Sequence, residues 1–273
     1  MGRVTTIICI LLFAFTADAK SSSDSILHLV KEKTISGRFS NFYTDNLGNV
    51  FLVTDNNQVK KLNQSLDSVA VFNDVRRYGD VYSVDVNNPL KIAVYYKDFT
   101  TIVVLDRFLN IRNSIDLRNI GILQAKAITQ SYDNNYWVFD ELNSKIKKID
   151  DNGNVLFESA DFRTLFSEEY NPQFIIDADG ALYLYDINKG WRIFDYYGAY
   201  KKHIDLLNWK DIAVVDKKLF GRDSVYFYSA DLMSFNESRT KTNIETSKAI
   251  KIQQRLNRFF ILEKDNLSVY RIE

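Results

Sequence analysis

One pattern of apolar and polar positions recurs about six times along this chain. Its plainest copy is Asn49-Val50-Phe51-Leu52-Val53-Thr54-Asp55-Asn56-Asn57-Gln58-Val59-Lys60-Lys61-Leu62. An unbroken apolar run, a polar turn carrying Asp and Asn, and a second run that alternates apolar with polar residues predict two antiparallel strands, the first more buried than the second. The pattern returns at Tyr136-Trp137-Val138-Phe139-Asp140 with Lys145-Ile146-Lys147-Lys148-Ile149, and at Leu182-Tyr183-Leu184-Tyr185-Asp186 with Gly190-Trp191-Arg192-Ile193-Phe194. Looser copies occupy residues 92–105, 219–228 and 259–270. The turn aspartates Asp55, Asp98, Asp140, Asp186, Asp223 and Asp265 stand 43, 42, 46, 37 and 42 residues apart. A period near forty made of short strands predicts propeller blades. The expected fold is therefore all-β, a six-bladed β-propeller of four-stranded antiparallel blades.

The ends of the chain complete the count. Residues 249–254, 258–263 and 267–272 supply three strands and the chain then stops, one strand short of a blade, while residues 27–34 form a strand that no other blade needs. The N-terminal strand is expected to close the last blade and remove an exposed sheet edge. An open ring is the other possibility. Within the ring, Asp161 is expected to cap a short helix that stops before Pro172. Blade five is read as residues 211–235, with the polar stretch 236–247 as a long loop.

Composition narrows the setting. Arg3 followed by an apolar core at residues 4–15 and the small-x-small sequence Ala17-Asp18-Ala19 predicts an export signal over residues 1–19. The other reading of that segment is an anchor that stays uncleaved. Residues 20–25 form a polar leader, expected to be disordered, and residues 26–273 a single propeller domain. No second apolar stretch reaches ~18 residues, so no transmembrane segment is expected after cleavage. The only cysteine, Cys9, leaves with the signal, and a mature chain without disulfides fits a bacterial periplasm or outer surface better than an animal extracellular module. With 35 basic and 35 acidic residues, no net field draws the chain to nucleic acid or anionic membranes.

The turns Asp45-Asn46-Leu47-Gly48-Asn49 leading to Val50 and Phe51, and Asp177-Ala178-Asp179-Gly180-Ala181 leading to Leu182 and Tyr183, each end on an apolar strand closed by Asp. In these motifs the chain resembles the six-bladed propellers of the NHL-repeat and TolB-like kind, over most of its length. The resemblance implies the fold and leaves the activity open. Related propellers include metal-dependent lactonases and phosphotriesterases, whose sites place carboxylates and amides on inner strands to hold a hard cation. The matching candidates here are Asp85, Asp177 and Asp211, with Gln130 and Gln173. Acids at strand ends more often form turns, so no metal or other cofactor is expected. The two histidines, His28 and His203, fall on outer strands of different blades, and no Gly-x-Ser-x-Gly elbow or phosphate loop occurs. No catalytic residue is assigned.

The recurring aromatics Phe51, Tyr95, Trp137, Tyr183, Phe227 and Phe260 are expected to pack blade against blade. Function is sought at the turns between second and third strands, which share a face with the loops between blades. Three of them put an apolar residue beside an acid: Asp98-Phe99, Glu141-Leu142 and Asp186-Ile187. Exposed apolar tips on neighbouring blades suit a protein partner. The sequence thus favours an exported, non-catalytic scaffold or protein-binding module in a cell-envelope complex, with a metal-dependent lactonase- or phosphotriesterase-like hydrolase as the alternative.

Overall fold

A computed structural model of the chain describes residues 25–273. The export segment 1–19 and all of the leader but Ser25 lie outside the described residues. Blade one comprises Phe39–Thr44, Val50–Thr54, Val59–Leu62 and Ser68–Phe72, and blade two Ser83–Asn88, Lys91–Tyr96, Thr101–Asp106 and Ile111–Asp116. Blade three comprises Ala125–Gln130, Tyr136–Asp140, Lys145–Ile149 and Val155–Glu158, and blade four Phe174–Ala178, Ala181–Asp186, Gly190–Asp195 and Tyr200–Ile204. Blade five runs through Lys210–Val215, Lys218–Arg222, Phe227–Asp231 and Glu237–Thr242. Blade six holds Lys251–Arg255, Arg258–Glu263 and Asn266–Ile272. Consecutive strands pair in chain order within each blade. The first strand of every blade touches the first strand of both neighbours, which closes the six sheets into a ring around a central channel.

The fourth strand of blade six comes from the N-terminus. Leu29–Ser36 pairs antiparallel with Asn266–Ile272, in register from Leu29 opposite Ile272 to Ser36 opposite Asn266. The closing strand thus lies two residues later than the sequence pattern places it, because Ser25–Leu27 does something else: it adds parallel to Glu237–Thr242, the outer strand of blade five. The N-terminal segment therefore fastens two blades, with the Asn243 side chain bonded to both the amide and the carbonyl of Leu29 between them. Leu29 is buried and His28 exposed.

Blade five corrects the sequence reading. The stretch read as a loop from residue 236 contains a strand, Glu237–Thr242, with no buried residue. The fourth strand of a blade lies at the rim, so burial does not impose alternation on it. Ile111–Asp116 and Val155–Glu158 are equally exposed over most of their length.

Six apolar clusters fill the six seams between blades. Phe51, Tyr95, Trp137, Tyr183 and Phe260 are buried in them, and Phe227 packs edge-on against Phe259. Among the described residues the seam between blades five and six is the thinnest, with only Leu29, Ile252, Phe259 and Ile261 buried in it. It is the seam that the N-terminal segment crosses.

The turns between third and fourth strands follow one chemistry. In Asp106, Asp150 and Asp195 the carboxylate accepts the amides two and four residues on. Asp45 does the same between first and second strands of blade one. The fourth residue of each turn takes a positive φ, as Gly48, Leu109, Gly153 and Gly198. The side chain thus replaces a backbone partner where the chain reverses. Asp161 accepts the amide of Arg163 and caps the short helix Phe162–Phe166 as its sequence predicts.

Candidate functional site: the channel mouth and the face around it

Strands alternate in direction within a blade, so turns between second and third strands and the loops between blades lie on one face of the ring. The remaining turns lie on the other. On the first face Phe99 and Leu142 project with 44% and 52% of their surface exposed. Asp98, beside Phe99, is exposed as well. The other sequence candidates turn inward. Glu141 is half-buried and accepts from Gln124, Lys126 and Asn171, a knot that joins blades three and four. These partners hold its carboxyl below the usual range against the opposing effect of burial. Asp186 is buried and accepts the amides of Asn171 and Asn188. Ile187 packs on the seam between blades four and five, its amide donating to Gln173.

Further apolar residues that the sequence reading did not single out share this face. Tyr82, Leu123, Phe174 and Ile250 are all exposed where the chain enters blades two, three, four and six. Each lies within two residues of an inner strand, so together they surround the mouth of the channel. The opposite face carries its own exposed aromatics. Tyr197 and Phe235 are 84% and 80% exposed on the third-to-fourth turns of blades four and five. Tyr132 of blade three meets Tyr196 at 4.4 Å there.

The inner-strand acids act as struts between blades. Asp85 of blade two accepts from the Thr129 hydroxyl at 2.8 Å and from the amide of Gln130 at 2.7 Å, both on blade three. Burial nevertheless raises its carboxyl above the ordinary value. Asp177 of blade four takes the Ser131 hydroxyl at 2.7 Å and the Trp137 indole N–H at 3.0 Å. Asp211 of blade five takes the Arg222 guanidinium at 2.6 Å and, on blade six, the amide of Ile252 at 2.8 Å. Gln130 joins the same strut through Asp85, while Gln173 bonds within blade four and its entry loop, to Asn171 and Ile187. The structure does not bring these five residues together around one point: each acid faces its neighbouring blade. Among the described residues no three His, Cys, Asp or Glu side chains gather where they could hold a metal ion.

At the start of the inner strand of blade six stands Lys251, ringed by protein and only partly exposed. Its Nζ donates to Asn41 Oδ1 at 2.8 Å and lies 3.9 Å from the centre of the Tyr43 ring, both on blade one. Asn41 in turn donates to the Tyr43 hydroxyl. Burial pushes the Tyr43 phenol up to about 12, so it stays protonated at neutral pH. Burial also lowers the Lys251 ammonium to about 8, against an upward pull from Asp211. Nothing in the sequence marks Lys251, because its environment is made by a strand more than two hundred residues away.

That shift has a measurable sign. Between pH 8 and the ordinary lysine value of 10.5 the unfolded chain retains a proton that the folded chain has released. Stability therefore rises with pH through that window, and the cost of the charge is fully present below it. Denaturant midpoints of the native chain and a Lys251→Met variant, compared at pH 7 and pH 9.5, should show the gap closing in favour of the native chain at the higher pH. A gap that does not change with pH contradicts the enclosure of Lys251. Tyrosine titrations cancel in this difference.

Six four-stranded blades around a polar channel define a six-bladed β-propeller. Solved structures similar to it include virginiamycin B lyase from Staphylococcus aureus, with 12% identity, 88% of this chain and 99% of that chain covered, and a TM-score of 0.64. BamB from Moraxella catarrhalis matches with 9% identity over 89% and 99% of the two chains, at a TM-score of 0.58. A chain of the mitotic checkpoint complex matches with 7% identity over 92% and 90%, also at 0.58. No protein-family model matches the chain, and no curated protein does. At these identities the likeness is one of fold.

Proposed function

We propose that this chain is an exported, non-catalytic propeller of the NHL-repeat and TolB-like kind that binds a protein partner in the bacterial cell envelope. The observation that carries the reading is the apolar face: Phe99 and Leu142, on adjacent blades, share it with Tyr82, Leu123, Phe174 and Ile250 around the channel mouth. Exposed apolar residues gathered on one side are the usual mark of a protein contact. The neutral charge balance argues against a nucleic-acid or anionic-membrane partner. Among the described residues no helix is long and apolar enough to cross a membrane. The presence of a similar propeller in the mitotic checkpoint complex supports an assembly role for such a ring. The lyase relative is catalytically inactive when one histidine is replaced by alanine. Here His203 stands on the outer strand of blade four and His28 on the N-terminal segment, both away from the channel, which favours binding over that chemistry. The commitment of Asp85, Asp177 and Asp211 to neighbouring blades favours binding over metal-assisted hydrolysis in the same way.

The test is a comparison of three baits in envelope extract. A partner captured by the native chain should be lost at least tenfold with Phe99→Asp/Leu142→Asp, since apolar anchors at an interface each contribute about 1–2 kcal/mol or more. It should be retained with Tyr197→Ala/Phe235→Ala on the opposite face. Equal capture by the native and Phe99/Leu142 baits removes the assigned face. A native chain that runs alone at every salt and detergent condition removes the scaffold reading altogether.

A further inference from the structure

Of five lysines enclosed in the ring, three meet a carboxylate, and Lys61 and Lys251 meet only a neutral acceptor. Lys91 meets Asp151 at 2.6 Å, Lys147 meets Asp140 at 2.9 Å and Lys148 meets Asp133 at 2.7 Å. Lys61 is capped by the carbonyl of Arg107 at 2.8 Å. An enclosed ammonium needs such partners, because removing it from water is costly unless its charge and donors are answered. Lys251 has no carboxylate within ion-pair distance among the described residues. One of its three N–H donors goes to Asn41 Oδ1. The ring of Tyr43 faces the charge at 3.9 Å and that of Phe42 at 5.4 Å. Of the inner-strand acids, Asp211 pulls on the charge only from beyond ion-pair distance and is itself held by Arg222 and the Ile252 amide, and Asp85 is held by Thr129 and Gln130.

A second residue on the same strand points to a ligand. Gln253 lies two positions beyond Lys251, so its side chain leaves the strand on the same side, ~7 Å along. Its Oε1 is buried and accepts no hydrogen bond. A buried amide oxygen without a donor is uncommon and costly. The strand thus offers a cation short of an anion and, one step deeper, an acceptor short of a donor. Both residues are partly exposed, although Gln253 Oε1 itself is buried.

We propose that this end of the channel is a binding site for a carboxylate that carries an adjacent N–H or O–H donor. The carboxylate accepts from the Lys251 ammonium, and the neighbouring donor reaches Gln253 Oε1. Tyr43 and Phe42 supply an apolar wall beside the charge. An acylamino acid, a 2-hydroxy acid and the C-terminus of a peptide all present this pair of groups. The site is separate from the rim residues Phe99 and Leu142, so it can stand whether or not those residues contact a protein.

Calorimetric titration of the purified chain tests it with N-acetylglycine, lactate and propionate, and with a short peptide bearing either a free or an amidated C-terminus. N-acetylglycine or lactate should bind saturably and at least tenfold more tightly than propionate, which lacks the donor. Lys251→Met, checked by its melting curve, should lose binding at least tenfold. Gln253→Leu should bring the donor-bearing acids down to the level of propionate. If the peptide with a free C-terminus binds and its amide does not, the site serves chain ends; if only the free acids bind, it serves small molecules. No saturable binding of any of these probes overturns the proposal, as does equal binding by native and Lys251→Met chains. Since each comparison uses the purified chain without extract, failure here is distinct from failure of partner capture at the rim.

Discussion

A chain that begins at residue 37 should melt roughly 10–20 °C below one that begins at residue 20, and should aggregate. The deletion removes Leu29–Ser36, the fourth strand of blade six, with its pairing to Asn266–Ile272. It also removes Ser25–Leu27 from the edge of blade five. Leu29 is buried in the seam between blades five and six, where Leu27 also packs, and Ile35 packs on the seam between blades six and one. At about 1.5–3 kcal/mol for a fully buried aliphatic side chain and less for the half-buried ones, the loss is about 3–6 kcal/mol. That is a large part of a net stability of about 5–15 kcal/mol, and each kcal/mol moves the midpoint of a domain of this size by about 2–4 °C. The exposed edge of Asn266–Ile272 then offers unpaired backbone to other molecules. Beginning the chain at residue 25 should change little and serves as the control. Beginning it at residue 28 removes the parallel strand alone and should give an intermediate midpoint. Identical thermal midpoints for chains beginning at 25 and 37 would show that the ring holds without its N-terminal fastener.

Asp211→Asn should destabilise the ring by about 3 kcal/mol, far more than its conservative shape suggests. Arg222 is almost fully buried, and Asp211 is the carboxylate that answers its charge, at 2.6 Å. The other guanidinium donors reach only the carbonyls of Asp223 and Ala249. Removing the acid's charge leaves an enclosed cation without its ion-pair partner, and it weakens the bond that the Ile252 amide donates to Asp211 across the thinnest seam. Asn tolerates the positive φ of 49° at this position, so backbone strain does not confuse the result. Adding Arg222→Met should restore much of the loss, because a buried ion pair replaced by apolar groups is close to neutral. Asp177→Asn, whose partners Ser131 and Trp137 are neutral donors, should cost only about 1 kcal/mol. Urea midpoints of the native chain and the three variants decide the matter. Equal losses at Asp177 and Asp211 would mean that the Arg222 charge is answered by something other than Asp211.

The repeat was legible because a blade's second strand is buried on both faces and its turns have a fixed chemistry. Val50–Thr54, Tyr136–Asp140 and Ala181–Asp186 read as apolar runs for that reason. Asp45 and Asp150 read as turns because a carboxylate bonding its own backbone is a local event. Ring closure was legible as an arithmetic of strands, three at one end and one left over at the other. Glu237–Thr242 was not, since this rim strand buries nothing and so carries no periodic signal. Nor was the parallel strand Ser25–Leu27, whose partner lies more than two hundred residues away.

The candidate surfaces divide along the same line. Phe99 and Leu142 could be placed on turns from the local pattern, but only the packing of blades decided that they stay exposed while Glu141, Asp186 and Ile187 turn inward. The inner-strand acids were visible as residue types, and the tertiary structure decided that Asp85, Asp177 and Asp211 each serve a neighbouring blade. The sequence by itself determined the blade, its period and its turns, because these follow from contacts within about forty residues. The tertiary structure alone decided what surrounds Lys251, because Asn41 and Tyr43 reach it only where the last blade meets the first, and burial, charge compensation and access in a closed ring belong to the seams between blades.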